Sequence, residues 1–221
     1  MRDGRGQPLK RRQKILSTIT AALLTVLVAV LIAAVIHSSS GGSGHGDPGD
    51  SATNNTGFDG AALPKGSAAP GFTLTDQSGR PVSLSEYRGR VVVLAFLYST
   101  CGRVCVVLAQ QVRGALDELP RPVPVLFLTA APEKDTPKSI SRFLAEVSLT
   151  GRVRYLTGPP AELRPLWRAY HVTPPEEDRA GFDNTISLYL LDRHGDERVL
   201  FQLEQLTPEA LVHDLRALGA T

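Results

Sequence analysis

The sequence predicts one α/β domain carried on an N-terminal membrane span, and three observations predict it. The strongest strand signal, Val91-Val-Val-Leu-Ala-Phe-Leu-Tyr98, runs straight into a segment with helical apolar spacing. The chain's only two cysteines, Cys101 and Cys105, sit at that strand-to-helix junction. Far upstream, Ile15 to Ile36 is a run of 22 residues without a charge.

As a helix, that uncharged run reaches about 33 Å, enough for a bilayer core of roughly 30 Å. All the nearby basic residues lie on its N-terminal side: Arg2, Arg5, Lys10, Arg11, Arg12 and Lys14 against Asp3 give residues 1–14 a charge of +5. The positive-inside rule then places residues 1–14 in the cytoplasm, the anchor at 15–37, and the rest outside the cell membrane. A cleaved signal peptide is the competing reading. The run is longer than a usual signal core, and Ala34-Val35-Ile36-His37 lacks a small-x-small cleavage site, so a single-pass signal-anchor is the expectation. A lipoprotein is excluded by sequence, since no cysteine follows the run before Cys101. The whole chain carries +2, so everything after the tail carries −3. No basic stripe argues for nucleic acid.

Residues 38–62 are rich in Ser, Gly, Asn and Asp, too poor in apolar groups for a core, and read as a flexible linker holding His45. Residues 63–221 then form one domain of ordinary size. Phe72–Thr75 and Pro81–Leu84 flank Asp76-Gln-Ser-Gly-Arg80 as a β-hairpin. Arg90–Tyr98 reads as a strand buried on both faces. Val104 to Leu119 is helical and stops at Pro120. Val123–Thr129 is a second buried strand, and Thr136-Pro137 opens a helix to about Val147, a hydroxyl cap before a first-turn proline. Arg152–Leu156 is a short strand and Pro160–Tyr170 a helix holding Trp167, read as core. Thr185–Leu191 and Glu197–Leu203 pair around Asp192–Gly195, and Thr207-Pro208 opens the last helix, to about Leu218. A β-α-β start, a later antiparallel pair and a closing helix make the thioredoxin-like plan, with the cysteines where the first central strand meets its helix.

Two cysteines are too few for a disulfide scaffold. Four residues apart on a helical turn, their Cα atoms lie about 6 Å from each other, within the span a disulfide tolerates. The same spacing lets both sulfurs face one metal ion. A helix N-terminus favours thiolate, and Arg103 between the cysteines adds to that effect. Tyr98 and Thr100 flank the thiols and are candidates to shape the pocket. Asp183 is either a proton-transfer partner or a loop carboxylate without a role. Asp135 and Thr136 read most simply as helix capping.

The domain resembles the SCO/SenC family over roughly Ser67 to Leu218. The residues that carry the resemblance are Ala69-Pro-Gly-Phe-Thr-Leu-Thr-Asp76 with Gly79 and Arg88-Gly89-Arg90; Phe96-Leu-Tyr-Ser-Thr-Cys101 with Cys105; Pro132-Glu-Lys-Asp-Thr136; Tyr155-Leu-Thr-Gly158; Tyr170 and Val172; and Tyr189-Leu-Leu-Asp192 with Gly195. Such a resemblance implies a membrane-anchored thioredoxin-like fold that delivers copper, or reducing equivalents, to cytochrome c oxidase. It makes Cys101 and Cys105 the copper ligands or the redox pair, and a copper-bearing oxidase subunit the thiol/disulfide partner.

The chain departs from the family pattern. Gly102 and Val106 replace the prolines of C-P-x-x-C-P, Ala131 replaces an aspartate, and Asn184 falls where the family has its third copper ligand, a histidine. Asn184 is a poor ligand for soft Cu(I). Met1 is the sole methionine, so the domain offers no thioether, and His171, His194 and His213 remain, with His171 the one to watch as a replacement ligand. Arg103 stands where relatives often carry an acidic residue, which disfavours a bound cation and favours a nucleophilic thiolate. Thiol/disulfide exchange is therefore the first reading, with no certain cofactor. Cu(I) carriage is the second, and a structural staple or a non-catalytic assembly module remains open. A peroxidase lacks the expected Pro-x-x-x-Thr-x-x-Cys spacing.

Overall fold

The computed structural model describes residues 57–175 and 186–220. The basic tail, the expected anchor at 15–37 and most of the expected linker lie outside the described residues, as do Asp183 and Asn184. Among the described residues, no helix is long and apolar enough to cross a membrane.

The described strands form one eight-stranded sheet: β1 (Ala61–Ala62), β2 (Thr73–Asp76), β3 (Pro81–Ser83), β4 (Val92–Leu97), β5 (Val125–Thr129), β6 (Arg154–Thr157), β7 (Ser187–Leu191) and β8 (Glu197–Gln202). Their order across the sheet is β1-β8-β7-β4-β5-β6-β2-β3. The four α-helices among the described residues are α1 (Arg103–Glu118), α2 (Pro137–Glu146), α3 (Pro160–Ala169) and α4 (Pro208–Ala217).

The centre of the sheet is where the sequence is most continuously apolar. Every residue of β4, β5 and β7 is buried. Strand β4 runs parallel to β5, pairing Val93 with Val125 and Leu97 with Thr129, and antiparallel to β7, pairing Val92 with Leu191. Strand β6 continues the parallel set beside β5. These strands set the direction of the site, because β4 and β5 end on the same edge of the sheet. Phe96, Tyr170 and Tyr189 stack through the core with ring centroids 5.0 and 4.9 Å apart, each contact adding about 1 kcal/mol beyond burial.

The helices start where their caps predict. Thr136 accepts a hydrogen bond from the Ser139 N–H at 3.1 Å, and Thr207 from the Ala210 N–H at 3.1 Å. Trp167 is buried, as expected, and donates its indole N–H to the Thr129 carbonyl at 3.0 Å. Helix α1 packs against α4 so closely that a Cβ on Gly114 would stand 2.8 Å from Pro208 Cγ.

The hairpin β2–β3 forms where the sequence places it and joins the main sheet, through β2 against β6. One part of the architecture differs from the sequence reading. Residues 57–62, assigned to the linker by composition, belong to the domain: Ala61 and Ala62 pair with β8, and both Asp214 carboxylate oxygens accept backbone N–H groups, from Asp59 at 2.8 Å and Gly60 at 2.9 Å. His213 sits beside this clamp, its Nδ1 2.9 Å from Asp214 and 3.3 Å from Asp59.

Candidate functional site

Strand β4 ends at Leu97, and the chain turns through Tyr98–Gly102 into α1. The Cys101 N–H closes the turn on the Tyr98 carbonyl at 3.1 Å. Gly102 then takes a φ of +77°, open to glycine but not to proline, whose ring holds φ near −65°. The glycine that replaces the family's proline is therefore required by the turn this chain makes. Arg103 opens the helix with no side-chain cap, and the first closed helical bond runs from the Val106 N–H to the Gly102 carbonyl at 3.3 Å. The first-turn N–H groups thus present their partial positive charge beside the cysteines.

Cys101 and Cys105 are joined as a disulfide with their Cα atoms 5.9 Å apart. The two sulfur residues differ in access. Cys105 is 0% exposed and belongs to the core, whereas Cys101 is only partly buried and packs at its edge.

Beneath this turn lies a buried carboxylate that the sequence reading assigned to capping. Thr136 caps α2, but Asp135 is 5% exposed and does something else. Its Oδ1 accepts the Ser99 N–H at 2.7 Å, and its Oδ2 accepts hydroxyl hydrogens from Thr129 at 2.5 Å and Tyr155 at 2.7 Å. The cysteine turn, the end of β5 and β6 are thereby fastened to one side chain. Burial pushes the Tyr155 phenol well above its ordinary pKa, and the adjacent Asp135 charge and hydrogen bond push it the same way. The phenol therefore stays a donor.

A groove of about 480 Å³ opens beside the disulfide. Thr100 and Gly102 line it from the turn, Arg103 and Val106 from α1, and Arg142, Phe143 and Glu146 from α2. Of the residues singled out from sequence, Cys101, Cys105, Thr100 and Arg103 are thus brought together. Tyr98 supplies the carbonyl that closes the turn, and the Lys134 ammonium lies 5.4 Å from its ring centre. Asp183 and Asn184 fall outside the described residues. His171 and His194 are exposed, in the segment after α3 and in a turn. Among the described residues, the group of three ligand-type side chains close enough to share an ion is Asp59, His213 and Asp214, and it includes neither cysteine. For copper as cargo, the described donor set is two sulfurs, available as thiolates once the disulfide is reduced.

Residues 61–220 match the SCO1/SenC family model. The chain belongs to the SCO1/SenC family. It is 33% identical over 135 residues to the mitochondrial SCO2 homolog of Bos taurus, a match covering 56% of this chain and 50% of that protein. The matched region thus spans about half the length of the curated relatives. Among solved structures, the apo Sco1 protein of Thermus thermophilus superposes with a TM-score of 0.61 at 25% identity, covering 73% of this chain and 96% of the other. The copper-bound ScoI of Bradyrhizobium japonicum superposes with a TM-score of 0.54 at 28% identity, covering 68% and 99%. The mixed sheet with its helices is the thioredoxin-like Sco fold, as the sequence order predicts.

Proposed function

We propose that this chain is a membrane-anchored, extracytoplasmic protein that exchanges thiols and disulfides through Cys101 and Cys105, serving maturation of the copper site of a respiratory oxidase. The observation that carries this reading is the asymmetry of the cystine: one sulfur residue at the edge of the core, the other fully inside it. A partner thiolate approaching from solvent attacks Cys101 Sγ. The Cys101–Cys105 bond breaks, its electron pair goes to Cys105, and a mixed disulfide forms between Cys101 and the partner. The helix N-terminus stabilises the Cys105 thiolate. A second partner thiolate then attacks the partner's own sulfur, freeing Cys101 and leaving the partner oxidised by two electrons. Run in reverse, the reduced pair opens a partner disulfide and delivers the thiols a copper site needs. The anchor at 15–37 and the cytoplasmic tail at 1–14 would place this chemistry outside the membrane.

Equilibration of the full chain, in detergent, with thiol redox buffers tests the exchange. A reversible two-electron transition above about −300 mV is expected. A disulfide that resists reduction well below that potential would make the pair a structural staple.

Cu(I) carriage is the second reading, favoured by the copper-bound relative at 28% identity. Anaerobic Cu(I) titration against a competing chelator separates the two. Tight one-to-one binding lost in Cys101→Ser would put carriage first, and Asn184→His should then raise the affinity.

A further inference from the structure

The groove beside the cystine has a chemical character of its own. Thr100 and Gly102, the chain neighbours of Cys101 on either side, both line it, so the groove adjoins the turn that carries the more exposed cysteine. Its far wall is one stripe of α2, Ser139, Arg142, Phe143 and Glu146, spaced three and four apart. Phe143 and Val106 supply an apolar surface. Arg103 and Arg142 supply two cations, and neither has a carboxylate partner among the described residues. Arg80, Arg152, Arg154 and Arg198, by contrast, each hold an aspartate. The buried Ser99 hydroxyl, on the turn side of the groove, has no hydrogen-bond partner among the described residues. Glu146 is the single acid of the lining.

We propose that this groove docks an acidic peptide segment flanking the reactive cysteine of the partner, with Arg103 and Arg142 reading its carboxylates. The proposal rests on the exchange reading of the same site and names what that site selects. A guanidinium fork suits a planar carboxylate, and two of them beside one disulfide favour partners that carry acids next to their cysteine. Glu146 limits the match to one or two acids and repels a longer acidic run. A volume of about 480 Å³ accommodates a few residues rather than a whole domain face.

The test compares two short peptides, one with Asp and Glu around a single cysteine and one with Lys in their place, reacting with the oxidised full chain in detergent. Rates are referred to reduction by dithiothreitol for each protein. In wild type the acidic peptide is expected to react faster, with the preference collapsing in 0.5 M salt, where the Debye length falls to roughly 4 Å from about 10 Å at 0.1 M. In Arg142→Glu the acidic-to-basic rate ratio should fall roughly tenfold. A parallel binding measurement uses the acidic peptide with serine for cysteine, read by fluorescence anisotropy. Binding that Arg142→Glu abolishes supports docking even if no exchange occurs, and the exchange reading then fails alone. Exchange at equal rates for both peptides, unmoved by Arg142→Glu, overturns the docking proposal and leaves exchange intact. Glutathione outcompeting the acidic peptide at equal concentration also overturns it, since the groove would then serve a small anionic thiol.

Discussion

Asp135 and Asp76 are both buried carboxylates on the β5–β6 side of the sheet, and they are satisfied in opposite ways. Asp76 ends β2 and gathers cations: Arg80 at 3.2 Å and Arg154 at the start of β6, with N–H groups from Ser78 at 2.8 Å and Arg80 at 3.0 Å. Asp135 follows β5 and gathers only neutral donors, from Ser99, Thr129 and Tyr155. Arg154 and Tyr155 are adjacent on one strand, so they point to opposite faces and serve the two carboxylates separately. The end of the domain away from the cystine is thus closed by ion pairs. The cystine end is closed by hydrogen bonds from neutral donors to Asp135, while Arg103 and Arg142 have no carboxylate partner among the described residues. On the docking proposal, that division makes one end a fixed joint and the other an electropositive surface for the partner.

The largest expected effect comes from breaking the neutral cluster. Asp135→Ala leaves a backbone N–H and two hydroxyls buried without their acceptor, at a cost of about 3 kcal/mol. Thermal or denaturant unfolding reads that loss. Asp135→Asn is expected to cost less, because its oxygen can still accept from Ser99 while its amide faces the two hydroxyls. If Asn is as damaging as Ala, the charge itself matters more than the hydrogen bonds. If neither variant changes stability or the redox midpoint, the cluster does not position the turn.

Much of this contrast was out of reach of the sequence. The strand 92–97, the helix after Cys101 and the caps at Thr136 and Thr207 are local patterns, and each was legible within a few residues. The Cα separation of the cysteines followed from helical geometry, and 5.9 Å agrees with it. Asp135 was misread because Asp-Thr-Pro looks like a cap, while its true partner Ser99 lies 36 residues earlier. Strand β1 was missed because Ala61-Ala62 has no period to read and gains its place only by pairing with β8. The groove was invisible for the same reason: α1 and α2 each show an ordinary amphipathic face, and only the fold sets Arg103 and Arg142 around one opening.

At the other carboxylate the sharper probe is pH. Burial alone would raise the Asp76 pKa, but hydrogen bonds from the Ser78 hydroxyl, the Arg80 and Ser78 N–H groups and Arg154 outweigh it and hold the pKa far below the usual value. A depressed folded pKa means the stabilisation is fully present above the unfolded value, near 3.9, and is lost as pH falls below it. Asp76→Asn should therefore destabilise at pH 5 to 7 and progressively less as the pH drops toward 2. Unfolding free energies for both proteins across that range read the convergence. Parallel curves would mean that Asp76 and its arginines contribute no net charge-dependent stability.

The smallest effect is expected from Tyr155→Phe, and it asks how much of the neutral cluster one donor carries. The substitution removes a buried hydroxyl together with its hydrogen bond and leaves the ring packed at 6.4 Å, edge-on, against both Phe127 and Phe143. Asp135 Oδ2 keeps the Thr129 hydroxyl, and Oδ1 keeps Ser99. A loss of about 1 kcal/mol is expected, the usual net value of one hydrogen bond, with little change at the cysteine turn. A loss approaching that of Asp135→Ala would show the three bonds acting as one cooperative unit, with Tyr155 as much a part of the turn's anchorage as the carboxylate it serves.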